Sequence, residues 1–367
     1  SSDVAYLIGE LQINPVLVGA SLGGLVGIYL EGKYERDSIS GLVLVDIVPN
    51  MNIAGAERVK DFMLEHSKTG FASLSEVSEI LSKYNPHREK SSDLEGLKRN
   101  LRKRGEKWFW HWDPMFISTE RGEENPDMRN PVLLNELCSN ITVPMLLVRG
   151  KMSDLVTEAE AKEFLERYPA ASFADVSGAG HMVVGDKNDV FARAIIDFLN
   201  QNVNFKKLII VSSTRVYGLQ NGRNITESVI PIPDDDQGRI ILDFENLVLS
   251  ESKVEPLILR PSGLYDKRKH WMKSHVESFD GNKYPLRFSE ANFFSRDDLA
   301  LVMTNYLCNQ EPTQISGALI CSEKAQSYSE IFSLICPQFS FKDFFIASDI
   351  IGKSFDPQKL SDSGLMR

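Results

Sequence analysis

Several things are scarce in this chain, and each scarcity excludes something. Among its 367 residues no run approaches the roughly 18 apolar residues that a membrane-spanning helix needs. No secretory leader is expected at its start, and no membrane partner. Cysteine is sparse: Cys138, Cys308, Cys321 and Cys336 are scattered, with no C-x-x-C pair. That spacing argues against a disulfide framework or a structural zinc site and suits a reducing, cytoplasmic setting. Basic excess is lacking too. Lys and Arg number 41 against 51 Asp and Glu, a formal charge of −10, which is the wrong sign for a nucleic-acid partner. The one basic cluster, Lys98-Arg99 through Lys107, is interleaved with Leu and Trp and reads as a solvated helix face.

What is present begins with residues 16–30, VLVGASLGGLVGIYL. An apolar, β-branched run ends at Gly19-Ala20-Ser21-Leu22-Gly23, and a helical pattern starts at once. G-x-S-x-G between a strand and a helix is the context of a nucleophile elbow. Gly19 and Gly23 are expected to let strand and helix approach closely, with Ser21 at the tip. The N–H of Leu22, at the helix start, can face a developing oxyanion.

A serine hydroxyl needs a base, and the base needs an orienting acid. The chain offers both in the order Ser, Asp, His. VPMLLVRGKMSD (143–154) is a buried strand, a turn and a loop carrying Asp154; FADVSGAGH (173–181) is a short strand and a Gly-rich loop ending in His181. Both polar groups follow the carboxyl ends of strands, where open α/β sheets place their sites. Asp154 has a second reading as a first-turn acid or cap for the helix from Thr157. Asp46, in LVLVDIVP, also ends a strand and is an alternative acid. The histidines His66, His87, His111, His270 and His275 sit in polar or aromatic stretches and read as structural or surface residues.

With VGASLGG, LVRGKMSD and GAGHMV in that order, residues 1–203 resemble an α/β-hydrolase of the esterase, haloperoxidase-like and carbon–carbon-bond hydrolase type. The resemblance implies Ser21 as nucleophile, His181 as general base and then acid, Asp154 as the residue orienting His181, and Leu22 N–H as oxyanion donor. It implies no metal or organic cofactor. Serine at the elbow argues against epoxide hydrolysis and dehalogenation, whose family members carry Asp there.

The order of elements expected in this half is helix 2–12, strand 15–20, helix 22–33, strand 42–47, strand 144–149, helix 157–167, strand 172–176 and helix 188–201. Alternating strands and helices give a parallel sheet covered on both faces. Residues 50–143 carry no expected strand and should form a helical lid. Its WFWHWDPMF segment, with Trp108, Trp110 and Trp112 alternating, either packs the lid onto the core or contacts an apolar substrate.

A second unit, 204–367, opens after QNVN. Its KLIIVSSTRVYG, PLILRPSGLYD and NFFSRDDLALVM segments resemble, over 205–365, the C-terminal half of an extended short-chain dehydrogenase/reductase, the NAD-dependent epimerase-like type. This is a second, partial Rossmann-like α/β unit. The family's Tyr-x-x-x-Lys aligns with DQGRIILDFENL, which puts Gln237 at the Tyr position and Ile241 at the Lys position. Gln cannot act as a general acid, and no G-x-G-x-x-G follows a strand in this unit, so an NAD-dependent epimerase or reductase is disfavoured.

Relative to the hydrolase resemblance, the strands expected ahead of the elbow and the turn supplying a second oxyanion N–H do not precede Ser21. A homo-oligomer or a separate N-terminal fragment would complete such a sheet. The expected function is a serine hydrolase acting on a small apolar ester or related acyl compound. The alternative is a catalytically weak or inactive fusion, remnant or interaction protein built from two truncated α/β folds.

Overall fold

A computed structural model describes residues 1–34, 37–84, 94–113, 129–183, 188–266, 270–309 and 315–366. His87 and the Pro114–Phe116 end of the WFWHWDPMF segment lie outside the described residues. The chain divides into two compact units, Ser1–Val203 and Asn204–Arg367.

In the first unit, α1 (Ser2–Leu11) leads into β1 (Val16–Ala20), α2 (Leu22–Tyr29) and β2 (Gly41–Val45). After the inserted segment come α5 (Pro131–Ser139), β5 (Met145–Gly150), α6 (Glu158–Arg167), β6 (Ser172–Val176) and α7 (Asn188–Asn202). The four strands form one parallel sheet in the order β1-β2-β5-β6. β2 and β5 are central and fully buried, GLVLV and MLLVRG, as strands covered on both faces should be. Among the described residues β1 pairs on one side only, with β2, and its Val18 is 45% exposed. The core gathers Leu25, Ile28 and Leu30 with Leu42, Leu44 and Leu147. No described helix is long and apolar enough to cross a membrane.

The inserted segment departs from the all-helical expectation. It holds α3 (Ile53–Leu64) and α4 (Leu74–Tyr84), but then a 3₁₀ turn (Glu95–Asn100) and an antiparallel hairpin of β3 (Leu101–Arg104) with β4 (Lys107–Trp110). The physical reason is local. Gly105 takes a φ of +59° between the paired ends Arg104 and Lys107, and the alternating K-W-F-W side chains suit a pleated ribbon better than a helix. The basic residues Arg102, Lys103 and Arg104 are therefore a solvated strand, not a helix face. Trp110 stacks on Trp112 with centroids 4.6 Å apart and meets Phe71 edge-on at 4.9 Å. With Val77 and Leu101 these rings form a small core of the segment itself.

In the second unit β7 (Ile209–Val211), α8 (Asp236–Glu251), β8 (Leu257–Pro261), β9 (Gly263–Tyr265), α9 (Trp271–Glu277), β10 (Phe293–Ser295), α10 (Arg296–Cys308), β11 (Gly317–Cys321) and α11 (Tyr328–Ile335) follow in turn. β11, β8 and β7 make a parallel three-stranded sheet, and β9 pairs in parallel with β10. This α/β order is of the Rossmann-like kind.

Candidate active site

Ser21 sits where β1 turns into α2, at φ 49° and ψ −114°. A non-glycine residue there is strained, a conformation that persists only where the surroundings impose it. One flank does so. A Cβ on Gly19 would lie 2.3 Å from the carbonyl carbon and oxygen of Gly23, so only glycine lets the strand pass under the first turn of α2. Gly23 does not share that role: a Cβ there meets nothing within 4 Å, which corrects the expectation that both flanking glycines are sterically required. The elbow is also tied down by Ser21 N–H donating to Val45 O at 3.1 Å. Leu22 opens α2, where backbone N–H groups have no intrahelical acceptor.

The residue after Val45 is Asp46, and it holds the histidine. Asp46 is wholly buried, at φ 51°. Its Oδ1 accepts from Gly150 N–H at 3.1 Å. Its Oδ2 accepts from Ser153 Oγ at 2.6 Å and pairs with His181 Nδ1 at 2.7 Å. Ser153 Oγ in turn accepts from Leu155 N–H and Val156 N–H. A buried carboxylate is expensive unless all its lone pairs find donors, and here a turn, a hydroxyl and an imidazole supply them. The loop after β6 reaches Asp46 by crossing the end of β5. Met152 N–H donates to Ala179 O at 2.9 Å, and a Cβ on Gly150 would lie 2.1 Å from Gly180 O. Gly150 is the gap through which His181 is delivered.

Asp154 is not brought to His181. Its Oδ2 lies 2.7 Å from Arg58 Nη1, and that guanidinium also donates to Tyr84 O at 2.6 Å. Asp154 therefore ties the loop after β5 to α3 and the end of α4, with both side chains substantially exposed. The helix it precedes is capped by Thr157 with a reciprocal Glu160 contact instead. The acid beside the histidine is Asp46, two strands across, because the Gly150 and Ser153 donors point back to β2. Its signature was present in the sequence: a charged residue inside LVLVDIVP is buried by its neighbours and must have partners.

Among the described residues Ser21 Oγ and His181 Nε2 have no hydrogen-bond partner, and they are not bonded to one another. Ser21 opens on a cleft of about 90 Å³ lined by Leu22, Leu25, Ile47, Met51, Ala56, Val59, Lys60, Met63, Arg129 and Leu155. Trp108, Trp110 and Trp112 do not line it; aliphatic and Met side chains do, with Lys60 and Arg129. No group of three or more His, Cys, Asp or Glu among the described residues is arranged to hold a metal ion.

In the second unit the segment aligned with Tyr-x-x-x-Lys is the start of α8. Gln237 is exposed there, and Ile241 packs against the apolar cluster of Val216, Tyr217, Ile225 and Phe355. The buried charges nearby are committed to each other. Arg260 donates to both Glu245 oxygens, at 3.0 and 2.6 Å, and to Tyr217 Oη at 2.6 Å. Lys353 Nζ is held by the carbonyls of Thr214 and Tyr217, and burial pushes its pKa down.

The parallel sheet β1-β2-β5-β6, with Ser21 after β1, Asp46 after β2 and His181 beyond β6, gives the first unit an α/β-hydrolase-like fold. Its sequence is 26% identical over 187 residues to a 3-hydroxybutyrate-oligomer hydrolase of Cupriavidus necator, a match spanning 49% of this chain and 64% of that protein. The match thus covers less than two thirds of the relative's length. Solved structures similar to the chain include E-2-(acetamidomethylene)succinate hydrolase, at 21% identity and a TM-score of 0.46, covering 54% of this chain and 71% of that one. They also include UDP-N-acetylglucosamine 4-epimerase from Bacillus cereus, at 18% identity and a TM-score of 0.39, covering 61% of this chain and 71% of that one. No protein-family model matches the chain.

Proposed function

We propose that the first unit is a serine hydrolase of small esters, working through Ser21, His181 and Asp46. The observation that carries this reading is the 2.7 Å contact between His181 Nδ1 and the buried Asp46, set beside a strained serine at a strand-to-helix elbow. Asp46 fixes the tautomer that carries its proton on Nδ1 and leaves Nε2 as the basic nitrogen. Nε2 takes the proton from Ser21 Oγ as the oxygen attacks the ester carbonyl. The tetrahedral oxyanion is met by Leu22 N–H. Its collapse expels the alcohol, which leaves with the proton from His181, and water repeats the cycle on the acyl-serine. Serine and base not yet in contact is a common state of such sites before substrate binds.

The aliphatic and Met side chains that line the cleft beside Ser21, among them Leu25, Ile47, Met63 and Leu155, favour an apolar acyl group. The name of the Cupriavidus necator relative makes 3-hydroxybutyrate oligomers suitable first substrates beside simple short-chain esters. The test is the rate of hydrolysis of both by the wild-type chain and by Ser21→Ala. Turnover that vanishes in the variant supports the reading; turnover unaffected by it removes Ser21 from the mechanism.

A further inference from the structure

The walls of the Ser21 cleft are apolar with two exceptions, Lys60 and Arg129. α3 contributes Ala56, Val59, Lys60 and Met63 to the lining, the i, i+3, i+4, i+7 spacing of one helix face. Lys60 thus stands in the middle of the stripe that faces the cleft, where periodicity calls for an apolar residue. Arg58 on the same helix is turned instead to Asp154.

Among the described residues, Asp46 and Asp154 near the cleft are already committed. Asp46 is satisfied by Gly150 N–H, Ser153 and His181. Asp154 is paired with Arg58. Glu57 and Asp61, neighbours of Lys60 on α3, form no ion pair with it, and among the described residues Lys60 has no ion-pair or hydrogen-bond partner. Arg129 lies on the same lining. An ammonium in an apolar cleft is best satisfied by an anion. A neutral ester closing over it would leave it without one, which turns the lysine into a discriminator as well as an attractor.

Building on the hydrolase reading, we propose that Lys60 recognises a free carboxylate on the substrate. The preferred substrates are then short esters that carry an acid group, such as half-esters of short dicarboxylic acids or esters of hydroxy acids with a free carboxyl end. The methionines and aliphatics of the cleft hold the methylenes between the two ends.

The test compares monoethyl glutarate with ethyl valerate, alike in chain length up to the carboxylate, on wild type, Lys60→Met and Lys60→Arg. It also titrates glutarate into the Ser21→Ala chain with and without Lys60→Met. The expected result is a preference for the half-ester that falls by about tenfold or more in Lys60→Met and survives in Lys60→Arg. Saturable glutarate binding should weaken in parallel. Ester hydrolysis with the same charge preference in wild type and Lys60→Met overturns the carboxylate site and leaves the hydrolase reading standing. Lys60-dependent glutarate binding without any ester turnover supports the site and overturns the hydrolase reading. Glutarate binding indifferent to Lys60 overturns the site.

Discussion

His181 Nδ1 lies 2.7 Å from Asp46 Oδ2, although the loop bearing His181 follows β6 and Asp46 ends β2, two strands away. The intervening strand end is closed by Gly150 and Ser153, both donating to the same carboxylate. Asp46→Asn should keep the geometry but favour the wrong imidazole tautomer, lowering kcat on a short ester by about 10³–10⁴-fold. Asp154→Asn should leave kcat/KM within about tenfold, and as an exposed pair with Arg58 it should cost less than about 1 kcal/mol of stability. Steady-state kinetics and thermal unfolding of the two variants check this. Equal losses from both would contradict the assignment of the acid.

The two glycines of the elbow should separate in the same way. Gly19→Ala forces a methyl carbon to within 2.3 Å of Gly23 backbone atoms, an overpacking that should cost about 1–3 kcal/mol or more. Gly23→Ala meets open space within α2 and should be neutral or stabilising by up to about 1 kcal/mol. Urea unfolding followed by far-UV circular dichroism measures both.

Glu245 and Arg260 form a buried pair with nearly no solvent contact. Glu245→Gln leaves the guanidinium without its counter-charge and should destabilise the second unit by about 3–5 kcal/mol. A drop of that size in its unfolding transition supports the arrangement; a change below about 1 kcal/mol contradicts the burial of the pair.

Cysteine reactivity samples both units. Burial pushes the thiols of Cys138 and Cys321 up to about 12, so at pH 8 their thiolate fraction falls about a thousandfold below that of an ordinary cysteine. Cys336 is buried as well, while Cys308 is exposed. A thiol reagent should therefore titrate one cysteine promptly in the native chain and four after unfolding. The raised pKa means that reactivity of the two buried thiols rises as pH climbs toward 12.

Much of the first unit is written in local pattern. The apolar runs at 16–20, 41–45 and 145–150 become strands, and the Gly-x-Ser-x-Gly turn becomes the elbow, because each depends on residues adjacent in sequence. The acid was not settled that way. Asp46 and Asp154 both follow strand ends, and only the strand order and the donors on the Gly150–Ser153 turn show that Asp46 is the one that meets His181. The hairpin at 101–110 was hidden by its charge, since R-K-R beside K-W-F-W reads as polar helix until Gly105 is recognised as a turn. The place of Lys60 was equally unreadable: that its face of α3 lines the cleft at Ser21 shows only in the folded chain.

The most direct test of the central claim, an assembled and activated Ser21, is reaction of the purified chain with a fluorophosphonate, with the modified residue mapped by mass spectrometry. A serine activated by His181 and Asp46 should be labelled stoichiometrically at Ser21, with labelling abolished in Ser21→Ala and strongly slowed in Asp46→Asn. A folded chain that stays unlabelled, or that is labelled at another serine, would contradict the account.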